Sequence, residues 1–111
     1  MYRLSTIIEE VYQKYAPLAE KRGVRFNLDF PDLTRRVERP SLVRKPLEAL
    51  MPGAVARAEE EVSLAVMRDY VVVRDDGVAL MPEVLKEMRE GFENVTVRSR
   101  VGFGTEIRIK I

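Results

Sequence analysis

The side chains that most often do chemistry near neutral pH are missing from this 111-residue chain, which contains no histidine and no cysteine. Imidazole is the usual general base, zinc ligand and phosphoacceptor, and a thiolate is the usual soft metal ligand and sulfur nucleophile, so those chemistries are closed. No residue can become a phosphohistidine. What remains lies in a few short stretches: Asp75-Asp76-Gly77, the run Gly102-Phe103-Gly104-Thr105, and the arginines Arg35-Arg36, Arg98 and Arg100. Read by composition, Asp-Asp-Gly between a strand and a helix is a turn. Gly102 and Gly104 read as hairpin glycines, because a phosphate-binding glycine loop is expected just before a helix. Thr105 is an ordinary strand residue. The arginines read as solvated charges at strand edges. Nineteen basic residues against eighteen acidic ones leave a formal charge of +1, so no large field draws the chain to nucleic acid or to a membrane surface, and neither is expected as a partner.

The elements that would hold these residues follow from hydrophobic period. Ile8, Val11, Tyr12, Tyr15, Leu18 and Ala19 recur at spacings of three and four, which predicts a helix capped by Ser5 and stopped near Gly23. Val24, Phe26, Leu28 and Phe30 alternate with polar residues and predict a strand, with a turn at Pro31-Asp32. From about Pro40 to Glu60 a second helix is expected, with a kink or break near Pro52-Gly53, since Pro46 and Pro52 each remove a backbone donor. Residues 62–66 and 70–74 read as a hairpin, Pro82 to Gly91 as a short helix, and residues 95–99 and 105–111 as a closing hairpin. The expected fold class is α+β: a two-layer sandwich with about three helices on one face of a mixed, mostly antiparallel sheet. At this length a single domain, 1–111, is expected. No apolar run approaches the roughly 20 residues of a membrane span, no signal-peptide core follows Met1, and a cytoplasmic setting is the expectation. The 33% charged residues and near absence of Asn, Gln and Cys match a bias of proteins from hot environments.

Four stretches, in order, resemble the ATP-binding domain of sensor histidine kinases, one of the GHKL or Bergerat-fold ATPases. Residues Leu4–Val11 and Tyr15–Val24 look like its first helix and the start of its first strand. Arg39–Val55 looks like the helix bearing the family's asparagine motif, and Val72–Leu80 is similar to the strand and D-x-G-x-G turn that hold adenine. Val95–Thr105 resembles the closing hairpin with its G-x-G-T signature. The resemblance implies that Asp75 accepts a hydrogen bond from the adenine amino group, that Gly77 lets the backbone approach the base, and that Thr105 supports the pocket.

The departures bear on activity. Where the family has two asparagines spaced N-x-x-x-N, the second helping to hold the Mg²⁺ of the nucleotide, this chain has Ala49 and Gly53. Neither offers the side-chain oxygen that a hard cation requires, and the polar positions near Ala56 and Arg57 compensate poorly. The last glycine of the adenine turn is Ala79, and Leu80-Met81-Pro82 runs straight into the third helix, so the family's mobile lid is missing. Such a chain is expected to be a degenerate, non-catalytic module with no magnesium site and no cofactor, serving regulation or protein interaction in signalling. A partner protein or an upstream signalling domain would dock on an apolar patch formed by Met51, Leu80, Met81 and Met88. Two alternatives stand beside it: a nucleotide-binding sensor using Asp75, Gly77 and Thr105, and a working kinase whose phosphoacceptor lies elsewhere.

Overall fold

The computed structural model describes residues 2–29 and 35–111. Its elements are β1 (Tyr2–Arg3), α1 (Leu4–Lys21), β2 (Arg25–Asp29), β3 (Arg36–Val37), α2 (Ser41–Arg57), β4 (Glu61–Met67), β5 (Tyr70–Asp75), α3 (Pro82–Glu90), β6 (Val95–Arg100) and β7 (Gly104–Lys110). Strands β2-β4-β5-β7-β6 form one sheet in that order; β2 runs parallel to β4 and the other neighbours are antiparallel. The three helices pack on this mixed sheet, as the alternation of apolar and polar residues predicted. The expected end of the first strand at Phe30 and the turn at Pro31-Asp32 lie outside the described residues.

Register places one inward-facing row of side chains across all five strands at a time. Leu28, Leu64, Val73, Ile107 and Val97 make the middle row, and Phe26, Val62, Asp75, Thr105 and Ser99 the row nearest the end of β5. Ile7, Ile8 and Val11 of α1 with Val43, Leu47, Met51 and Ala54 of α2 close over these rows, all buried. At about 25 cal/mol per Å² of apolar surface, this burial is the main favourable contribution to the fold.

Helix α1 starts one residue earlier than Ser5 and has no side-chain cap. The Leu4 N–H instead donates to the Arg35 carbonyl at 2.9 Å, and the two-residue pair β1–β3 holds the chain ahead of it, so Ser5 falls inside the first turn. At the other end Gly23 is left-handed at φ 71°, with its N–H on Glu20 O and the Val24 N–H on Ala19 O. Those are the two bonds of a Schellman stop, as the Lys-Arg-Gly sequence suggested.

The expected break in α2 does not occur: the helix is continuous through Pro46, Pro52 and Gly53. A proline at position i leaves the carbonyl of i−4 without its helical donor. Pro46 thereby frees Leu42 O, which accepts from Asn94 Nδ2 at 2.7 Å, and Pro52 frees Glu48 O, which lies 3.3 Å from the Tyr15 hydroxyl, a donor it shares with the Glu48 carboxylate at 3.0 Å. Distant side chains supply the first missing bond and share in the second, so neither freed carbonyl is left without a polar neighbour.

Candidate functional site

Asp75 is the last residue of β5. The alternation Val71, Val73, Asp75 turns its carboxylate inward under the end of α2, where it is 2% exposed. A buried carboxylate needs donors. Oδ1 accepts the Gly77 N–H at 3.0 Å, closing a tight Asx turn, and Oδ2 accepts Arg57 Nη2 at 3.1 Å and Nε at 3.3 Å. Burial raises the Asp75 pKa above its ordinary 3.8, opposed by the Gly77 amide and the Arg57 charge.

Arg57 comes from the last turn of α2, four residues after Gly53 and so on the same helix face. Its guanidinium covers Gly53: a Cβ built there would lie 2.9 Å from Arg57 Nη1. The helix end is itself held, because Arg22 Nη1 donates to Val55 O and to Ala58 O at 2.9 Å. Gly77 packs against this end so closely that a Cβ would come within 2.1 Å of the Arg57 carbonyl oxygen. The glycine of the turn is thus required by the chain's own backbone.

Thr105 lies opposite Asp75 across β5 and β7 and is fully buried. Its hydroxyl shares a hydrogen bond of 2.9 Å with Ser99 Oγ, which also accepts the Leu80 N–H at 2.7 Å. That bond ties the four-residue segment Val78–Met81, between the turn and α3, to the edge of the sheet. Gly104, at φ 91°, has the Asp75 carbonyl where a Cβ would stand, 2.0 Å away, while Gly102, at φ 79°, is open around. Both are turn glycines, one of them also a packing glycine.

Asp76 has a different task from its neighbour. Its two carboxylate oxygens accept from the backbone N–H groups of Glu59, Glu60 and Glu61 at 2.8 to 3.2 Å, pinning the turn to the start of β4. Partial burial works to raise its pKa, but the amides of Glu60, Glu59 and Glu61 outweigh it and hold the carboxyl below its ordinary 3.8.

Asp75, Gly77 and Thr105 are therefore brought together as the sequence suggested, and Gly53 joins them through Arg57. Ala49 lies exposed one turn back on α2, and Ala79 is half-buried in the segment after the turn. The guanidinium of Arg57 fills the space that Gly53 leaves open, and it has no oxygen to give a cation. One expectation about the site is corrected. Met51 contributes nothing to an exposed patch, since it is 0% exposed in the core; the exposed apolar residues beside the turn are Val78 and Met81. Asp75 also borders a recess of about 140 Å³ whose walls include Ser63 and Arg74 of the outer sheet face, opposite the face to which its carboxylate turns.

No family model matches the sequence, and no curated protein matches it either. By structure the chain is similar to the catalytic domain of histidine kinase ThkA in a nucleotide-free form, with a TM-score of 0.73 at 15% identity over 98% of this chain and 92% of that one. The cytoplasmic segment of histidine kinase QseC gives 0.72 at 16% identity, over 97% of this chain and 70% of that one. ThkA in complex with the response regulator protein TrrA gives 0.74 at 18% identity, over 99% of this chain but 40% of that one. The fold is that of the catalytic, ATP-binding domain of histidine kinases.

Proposed function

We propose that this chain is a histidine-kinase-like domain that carries out no phosphoryl transfer and serves as a regulatory or protein-interaction module in cytoplasmic signal transduction. The observation that carries the reading is Arg57: its guanidinium lies over Gly53 and takes the carboxylate of Asp75, the group that would otherwise receive adenine. In its place a base would have to offer Asp75 better donors than a charged guanidinium.

The residues present do not fit a magnesium-triphosphate. Ala49 and Gly53 have no oxygen to give a hard cation, and the positive charge beside Gly53 repels one. The short tether Val78–Met81, held at Leu80 by Ser99, leaves no long loop to fold over phosphates. Phosphoryl transfer depends almost wholly on such positioning and charge, so its loss removes the reaction and not merely its efficiency. A protein partner is in keeping with the ThkA complex, in which a larger chain of this fold is bound to TrrA.

Calorimetric titration with ATP, ADP and cyclic dinucleotides, together with transfer of radiolabel from ATP to a supplied phosphoacceptor domain, tests the proposal. No saturable heat and no transfer are expected. A second reading, a nucleotide sensor without chemistry, is favoured by the adjacency of Asp75 and Thr105 across β5 and β7. Sub-millimolar binding that Asp75→Asn abolishes would support that reading and overturn the first.

A further inference from the structure

The helices cover one face of the sheet, and the other face of β5, β7 and β6 is strongly basic. Arg74, Arg98, Arg100, Arg108 and Lys110 alternate outward there, with Glu106 as the one outward acid on the three strands. The formal charge of the whole chain is only +1, so the rest of the molecule is net acidic. Glu106 does not cancel the patch in its middle. It is 3% exposed, aligned between Arg74 and Arg98 on the neighbouring strands, and lies 3.1 Å from Arg74 Nη2 and 3.5 Å from Arg108 Nε. Arg98, Arg100 and Lys110 pair with no carboxylate among the described residues. Arg108 makes only a long hydrogen bond to Glu106, its buried Nε makes none, and its side chain is 40% exposed. Between Arg98 and Arg108, with Tyr70 and Thr96 as walls and Glu106 as floor, is a recess of about 250 Å³.

We propose that this outer sheet face docks an acidic polypeptide segment of a partner protein, one of whose carboxylates enters the recess between Arg98 and Arg108. The argument is charge complementarity and geometry. Guanidinium groups bind carboxylates through paired N–H donors, and this face already holds one carboxylate, that of Glu106, between its arginines. A single exposed ion pair contributes little, but five like charges on one flat surface raise the encounter rate and select the sign of the partner. Nucleic acid suits the face less well. Strand-binding platforms offer bare aromatic faces to stacked bases, whereas here Arg108 lies over the Tyr70 ring at 5.8 Å and Arg74 over Phe103 at 5.6 Å. A polyanion longer than the patch would also run on to the acidic remainder of the molecule.

The test is fluorescence anisotropy of the whole chain with a labelled peptide of alternating Glu and Gly, its Gln-for-Glu counterpart, and an oligothymidine of equal charge. Saturable, salt-sensitive binding of the Glu peptide alone is expected. Arg98→Gln, which leaves both partners of Glu106 in place, should weaken binding about tenfold, the worth of one charge-assisted hydrogen bond. Arg98→Gln with Arg108→Gln should abolish it, while Lys21→Gln with Lys45→Gln, on the helical side, should change nothing. Equal binding of the Gln peptide, tighter binding of the oligonucleotide, or an Arg98→Gln variant that binds as well as the parent would overturn the proposal. So would a Glu peptide that fails to bind the natively folded chain in low salt.

Discussion

Gly53 gives the guanidinium of Arg57, one helical turn on, the room to lie across the helix and reach a carboxylate that is otherwise stranded in the core. Asp75, Gly77 and Thr105 were legible in the sequence because the motif marks them. Arg57 was not, because Gly53 read as a lost ligand and not as space, although the spacing of four already put both residues on one helix face. The pair can be tested through pH. Burial raises the pKa of Asp75, and Arg57 is one of the causes holding it down, so Arg57→Met should raise it further. A carboxyl with a higher pKa in the folded state stabilises the fold below about pH 3.9 and loses that contribution as pH rises through the folded value. The variant should therefore melt close to the parent in acid and fall behind it toward alkaline pH, by about 3 kcal/mol once Asp75 is an unpaired buried charge. Asp76 has the opposite sign: its lowered pKa gives stability that is present above about pH 4 and lost as pH falls through the folded value. Asp76→Asn should be less stable than the parent at neutral pH and show a shallower acid loss in melting temperature.

Helix α2 shows what a local reading misses. Its prolines argued for a break, and by propensity each costs about 3 kcal/mol in a helix interior. The carbonyls they free are instead met by Asn94 and Tyr15, and Asn94 is 52 residues from the carbonyl it serves, a relation no window of sequence contains. Asn94→Ala and Tyr15→Phe should each lower the unfolding free energy, read from the urea midpoint, by about 1 kcal/mol per lost hydrogen bond. The turn between β6 and β7 offers a sharper contrast. Gly102 needs only its left-handed φ, so Gly102→Ala should cost about 1 kcal/mol. Gly104→Ala would also drive a methyl into the Asp75 carbonyl, and should be far more damaging or fail to fold.

Across the whole molecule, the layer architecture was legible because period-two alternation identifies strands buried on one side, and because adjacent hairpins pair locally. The parallel seating of β2 on β4 and the two-residue pair β1–β3 were not, since both join segments distant in sequence and the latter is too short to carry a pattern. Net charge misled in the same way: a total of +1 conceals a basic sheet face and an acidic remainder, which only the register separates. What unites the scales is the proposal that the protein itself closes the base site, and its most direct measurement is an amide NMR titration with ATP and magnesium. The signals of Gly77, Leu80 and Gly104 should stay in place up to millimolar nucleotide. Saturable shifts of those three amides, lost in Asp75→Asn, would mean that Arg57 yields to the base and that the site is open.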